Sequence, residues 1–329
     1  MSRSNPAADT SSLTPFSDGI TVIIPVFNRG GIIGDTLRSI EVQTRWPDRI
    51  IMVDNNSTDN SLEVISRWAE KWRPEGKRID IITEKRPGAA AARKAGERLV
   101  DTRYLYFFDS DDEMHPDLIE KAMKDFESDP ELKITAWSLR FKTPEGREFT
   151  RRILPDRPFE NHLVQGFLST QGYAVETQYF LEAGGWNPDL RGWDDWELGL
   201  RLLLAGGKLL ISEEPRADIR MHEDSISGFT YLHSKGVWEI AIEEMERVAK
   251  KGDSPMRSYI LRMLAFRRAI LAAHYHHEGD KDAARSLLST ALSAPELSSF
   301  HRLIFRLAYR FTSLGLRGAG LLFPRFLVQ

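Results

Sequence analysis

Residues 109–112 read DSDD, so Asp109, Asp111 and Asp112 set three carboxylates within four positions. Carboxylates this close repel one another unless a cation or a cluster of donors offsets them. One Asp can cap the helical stretch that follows at Met114 to Phe126. The surplus suggests a metal site, and hard oxygens suit Mg²⁺ or Mn²⁺. Other polar clusters that could do chemistry are Asn28, DNNSTD at 54–59, EKRPGAAAAR at 84–93 and the Asp194–Asp195 pair in GWDDWELGL. Within 54–59, Asp54 can be a turn residue and Asp59 can cap the next helix. The run HYHH at 274–277 has metal-like density, yet it lies in a helix-forming tail beside EGD and reads as a helix end.

These clusters need elements to carry them, and the pattern from Ile20 onward supplies them. ITVIIPVF, RIIMVD, RIDIIT and YLYFFD are short apolar, β-branched or aromatic runs, and each is followed by a stretch of helical spacing. Continuous apolar strands separated by helices predict an α/β fold with a mostly parallel sheet covered on both faces. Ligands of such sheets bind beyond the carboxyl ends of the strands, where all the clusters before residue 113 fall.

Composition narrows the function classes. The 329 residues are 41% hydrophobic and 28% charged, enough for one large domain or two modest ones. A net charge of −3 supplies no global basic field, which disfavours nucleic acid as the main partner. With no cysteine there is no disulfide, thiolate nucleophile or zinc–thiolate site, and a reducing cytoplasm is the expected compartment. Residues 1–18 read as a flexible polar lead without the apolar core of a secretory signal, and no run of eighteen apolar residues predicts a transmembrane helix.

A dinucleotide fold would require G-x-G-x-x-G after the first strand. NRGGIIG keeps Gly31 and Gly34 but has Arg29 where the first glycine belongs, and that reading leaves DSDD without a task. By contrast TVIIPVFNR, VDNNSTDNS, PGAAAARKAG, FFDSDD and GWDDWELGLRLLLAGG, in this order, resemble the family 2 glycosyltransferases of GT-A fold over roughly residues 21–228.

The resemblance implies a nucleoside-diphosphate sugar donor, with uridine diphosphate as the default. It places base and ribose near Pro25, Val26, Phe27, Asn28 and Asp54, whose carboxylate can accept from base N–H or sugar hydroxyls. It puts Arg93 toward the nucleotide or its diphosphate, Asp109 and Ser110 on the sugar or ribose side, and Asp111, Asp112 and His222 at the Mg²⁺ or Mn²⁺. Asp195 matches the family's base for the acceptor hydroxyl. Asp194 stands where the family usually has Glu, which leaves its role open, and a helix N-terminus also favours such acids. One displacement with inversion is the implied chemistry. Trp186 and Trp193, flanking the acidic pair, could stack on an acceptor sugar or pack in the core. The acceptor is expected to be a glycan, a lipid-linked molecule or another hydroxyl compound in bacterial-type polysaccharide or glycoconjugate synthesis, and 151–173 could face it. A non-catalytic sugar-nucleotide-binding or scaffold protein of the same fold stays open as the alternative.

The division expected is 1–18, a glycosyltransferase domain over 19–228 and an α-helical extension over 229–329. Residues 272–284 resemble one helical hairpin of the tetratricopeptide type. The stretch 300–329 has arginines at 302, 306, 310, 317 and 325, no acid and many large apolar residues. It suits either a peripheral helix on the inner face of the cell membrane or a buried last helix.

Overall fold

The computed structural model describes residues 16–150, 153, 155–221, 231–232, 235–251, 256–316 and 318–327. The four apolar runs form β1 (Ser17–Val26), β2 (Arg49–Asp54), β3 (Ile79–Thr83) and β4 (Thr102–Phe107). The helices after them are α1 (Ile33–Glu41), α2 (Ser61–Trp72), α3 (Ala89–Glu97) and α4 (Leu118–Ser128). Each helix is amphipathic; α4, for example, buries Leu118, Ile119, Ala122, Met123 and Phe126 at helical spacing. The order β3-β2-β1-β4 is parallel throughout, so Val26, Asp54, Thr83 and Phe107 end on one edge. Pro25 is tolerated in central β1 because the ladder with β4 has already ended at Ile23 and Phe107.

The second half corrects the expectation of a mostly parallel sheet. β8 (Tyr173–Glu176) pairs antiparallel with both β4 and β6 (Leu132–Lys142). β9 (Lys208–Arg220) runs parallel to β6 and antiparallel to the two-residue β5 (Glu113–Met114), and β7 (Glu148–Thr150) forms a hairpin with β6. The nine-stranded sheet is therefore mixed. β9, thirteen residues long, delivers Arg220 to the DSDD turn.

One face of the sheet packs α1, α2 and α4, and the other packs α3, α6 (Thr177–Glu182) and α7 (Asp194–Leu204). α3 lies so close that a Cβ on Gly96 would come within 2.7 Å of Ile23 and 3.2 Å of Val53. The small residues of GAAAARKAG serve this approach to the sheet.

A third core joins α5 (Pro158–Gln165) and α7 to α8 (Val237–Lys251), α9 (Arg257–His277), α10 (Lys281–Leu292), α11 (Ser299–Ser313) and the short α12 (Ala319–Leu322). The C-terminal helices thus share their core with the helix that begins at the Asp194–Asp195 pair. α9 ends at the HYHH run and forms the expected hairpin with α10, capped by Asp280 accepting from the Ala283 N–H. His274 lies flat on Tyr231, and His276 meets the Tyr309 hydroxyl at 2.6 Å. Among the described residues no helix is long and apolar enough to cross a membrane.

Candidate active site

The site is built where β1, β2 and β4 end and α3 and α7 begin. Arg93, one turn into α3, has its side chain 6% exposed. One guanidinium nitrogen donates to Asp109 Oδ1 at 2.6 Å and the other to Asp194 Oδ2 at 2.9 Å. Its plane lies 4.6 Å from the Trp186 ring centroid. The DSDD turn and the GWDDW helix therefore meet across a single side chain. Burial disfavours the Arg93 cation, but the Asp109 and Asp194 carboxylates outweigh it and hold the guanidinium firmly protonated.

The three DSDD acids have different surroundings. Asp109 accepts from Arg93 on one oxygen and from Gln171 Nε2 at 2.7 Å on the other. Asp112 is enclosed: Oδ1 accepts from the Arg220 backbone N–H at 2.9 Å, and Oδ2 accepts from the same Gln171 amide. Burial first, and then the neighbouring charges of Asp111 and Asp109, push the Asp112 carboxyl well above the usual range. Asp111 faces outward with Arg29 Nε 3.3 Å from its carboxylate, while its carbonyl accepts from Arg220 Nε at 2.5 Å. Ser110 between them is buried.

Among the described residues no three His, Cys, Asp or Glu side chains gather around a point that could hold an ion. A cation of the Mg²⁺ kind asks for less, taking one or two carboxylates and completing its shell with phosphate and water. The donor set at Asp111, with Asp109 beside it, fits such an ion. Asp112, far more deeply buried than Asp109 and tied to the Arg220 backbone, anchors the turn to β9 instead. His222 lies outside the described residues.

At the start of α7, Asp194 is the first helical residue and its charge is engaged by Arg93. Asp195 Oδ1 accepts from the Trp196 N–H at 2.7 Å. Burial and the adjacent Asp194 charge push the Asp195 carboxyl up to about 7, against the opposing pull of Arg93. A carboxylate tuned there can take a proton near neutral pH. His162 holds this helix from below: Nε2 lies 2.9 Å from the Trp196 carbonyl, and Nδ1 accepts from the Leu168 N–H. Burial lowers the imidazole to about 4, so it is a neutral strut.

At the β1 and β2 ends, Asp54 is buried and faces the Ser57 N–H, and Asn28 Oδ1 accepts from the Thr58 N–H at 2.8 Å. Pro25 and Val26 belong to the strand end, and Phe27 beyond them is 53% exposed. Asn60 rather than Asp59 takes the N-cap position of α2; Asp59, one residue earlier, accepts from the N–H groups of Ser61 and Gly30.

Both tryptophans are used by the protein itself. Trp186 is 1% exposed, edge-on to Phe107 and covered by Arg93, so no acceptor ring reaches its face. Trp193 is half-buried among Trp196, Tyr231, Trp238 and the Arg267 guanidinium. Gln171 and Arg220 were invisible to motif reading; the one available signal was a lone Gln between Thr170 and Gly172 just before an apolar strand.

An α/β sheet with acids on one edge, answered by an acidic helix start across Arg93, defines the GT-A class. Residues 21–176 match the family model described as Glycosyl transferase family 2. The match spans a little under half of the chain, and over that span the chain is similar to the family. It is 32% identical over 104 residues to an uncharacterized glycosyltransferase, YibD, of Escherichia coli K12, covering 32% of this chain and 29% of YibD. The matched region is thus less than a third of that relative's length. It is 26% identical over 242 residues to a putative teichuronic acid biosynthesis glycosyltransferase, TuaG, of Bacillus subtilis 168, covering 72% of this chain and 92% of TuaG. The fold is similar to that of S. aureus TarS 1–349 in complex with UDP-GlcNAc, with TM-score 0.62, 15% identity, and 94% and 90% of the two chains covered. It is also similar to the Pyrobaculum calidifontis mannosyltransferase PcManGT in complex with GDP-Man and Mn²⁺, with TM-score 0.59, 18% identity, and 97% and 89% covered.

Proposed function

We propose that the protein is an inverting glycosyltransferase that moves a sugar from a nucleoside-diphosphate donor to a hydroxyl acceptor in polysaccharide or glycoconjugate synthesis. The observation that carries this reading is the pair of bonds from Arg93 to Asp109 and Asp194, which ties the DSDD turn to the start of α7, next to the candidate base Asp195. Asp195 accepts the proton of the acceptor hydroxyl as that oxygen attacks the anomeric carbon, and the bond from that carbon to the diphosphate oxygen breaks to release the nucleoside diphosphate. Asp194 accepts from Arg93, and the Trp196 N–H fixes one Asp195 oxygen so that the other is left to the substrate. Arg93 orients both acidic groups rather than gripping phosphate, because its two terminal nitrogens are already committed.

The donor's base and ribose lie along Val26 to Asn28 and Asp54, with a uridine nucleotide as the first candidate, in line with the UDP-GlcNAc complex of TarS. Asp111, with Asp109 and Ser110 beside it, would hold Mn²⁺ or Mg²⁺, consistent with the Mn²⁺ named for PcManGT. Such an ion supplies charge neutralisation for the departing diphosphate when bound. Gln171 and Arg220 hold Asp112, and through it the turn, in place.

The test is nucleotide release from a panel of uridine, guanosine and thymidine diphosphate sugars with Mn²⁺, run on the parent and on Asp195→Asn. Release by the parent and loss in the variant supports the reading. Equal rates remove Asp195 from the mechanism, and donor binding without release by the parent makes the chain a non-catalytic binder.

A further inference from the structure

α11 packs on α9 through His301, Ile304, Phe305, Ala308 and Thr312, and this accounts for one face of the helix. A neighbouring stripe, lying between that packed face and the arginine side of the helix, is also apolar. Phe300, Leu303 and Leu307 are each about half exposed, and Leu314 at the helix end is 75% exposed. At 100° per residue these four fall within an arc of about 60°. A surface helix covered on its second face by water would carry polar residues there.

The charge beside that stripe is of one sign. Arg306 and Arg310 are exposed along its flank, and among the described residues neither has an ion-pair partner. No Asp or Glu occurs anywhere from 297 to 329. This selects the occupant. A second copy docking face to face by two-fold symmetry would line the arginines of both helices along one seam, with no acid in the segment to neutralise them. An anionic lipid surface answers both halves of the pattern, since leucine and phenylalanine enter the acyl boundary while arginines meet the headgroup phosphates.

We propose that the exposed face of α11 docks the protein peripherally on an anionic membrane. The helix is amphipathic twice over, with one stripe for the protein core and one for lipid. The inference stands apart from the catalytic reading and fails or holds independently of it.

The experiment is co-sedimentation of the full chain with vesicles of phosphatidylcholine and phosphatidylglycerol, compared with phosphatidylcholine alone. Binding to the mixed vesicles, weakened by salt and by neutral lipid, is expected. Arg306→Gln with Arg310→Gln should weaken it on the order of 30-fold, taking about fivefold per basic residue at an anionic surface. Leu303→Asp with Leu307→Asp should abolish it while leaving the circular dichroism melt unchanged; Leu314→Asp serves if that pair fails to fold. Failure of the parent to bind the mixed vesicles would overturn the proposal, as would undiminished binding by a folded aspartate variant. So would light scattering that finds a dimer which Leu303→Asp with Leu307→Asp dissociates.

Discussion

Asp195→Asn should inactivate the protein and stabilise it, and the two effects together distinguish a base held in a strained state from a structural acid. Lifting the carboxyl from 3.8 to about 7 amounts to about 4 kcal/mol of lost stability once the group ionises. Because the folded-state value is the raised one, the stabilising contribution of the neutral acid is complete below the unfolded value. It declines as pH rises and is gone above about 7. Asp195 keeps some solvent contact, which screens the penalty, so about 2 kcal/mol is the expected gain for the neutral amide at about pH 8. In a chain of this size that raises Tm by about 4 °C. Near about pH 4 the parent carboxyl is itself mostly neutral and the gap should nearly close. Paired thermal melts across this range read the effect, and nucleotide release should fall about 10²- to 10⁴-fold in the same variant. An Asp195→Asn protein that melts lower than the parent at high pH, or a gap that does not change with pH, refutes the reasoning.

The parent's kcat/KM should fall about tenfold per pH unit below about 7, and a flat profile down to pH about 5 would exclude this base. Gln171→Leu leaves Asp109 and Asp112 without their shared donor, so Mn²⁺ half-saturation for donor release should rise about 10- to 100-fold, with Gln171→Asn tested for partial rescue. Chelation should stop turnover and added Mn²⁺ should restore it in the parent, whereas Asp111→Asn should not be restored at the same concentration. Trp238→Ala should cost about 3–5 kcal/mol by chemical denaturation, and Trp238→Phe much less.

What could be read from the sequence was whatever repeats or stands in line. The βα units were legible because each strand is a continuous apolar run and each helix has its own 3.6-residue stripe. The sheet edge followed, since parallel strands end together. The antiparallel strand β8 was not legible: YAVE is four residues long, and its place between β4 and β6 is set by pairings with distant chain. Gln171 owes its position to that strand, just as Arg220 owes its own to the length of β9. Arg29, which stands where a dinucleotide motif would have its first glycine, is the cation beside Asp111. The acids of DSDD look equivalent in sequence, yet their differences arise from these long-range partners.

Three residues other than glycine take a left-handed backbone among the described positions: Asn28, Asn56 and Trp193. All three border the site, two after the ends of β1 and β2 and one before α7. Asn tolerates this region through its short polar side chain, and Asn28 is also tied to Thr58. Trp has no such excuse, and its φ of 52° costs on the order of 1–3 kcal/mol. Ring contacts with Trp196, Tyr231 and Trp238, and the Arg267 guanidinium 4.3 Å from its ring centroid, are of the right size to offset that cost. Three of these four partners come from the segment after the catalytic sheet. The turn that aims Asp194 and Asp195 is therefore held by the C-terminal helices, and removing those helices would release the strain at Trp193 and the geometry of the acidic pair together.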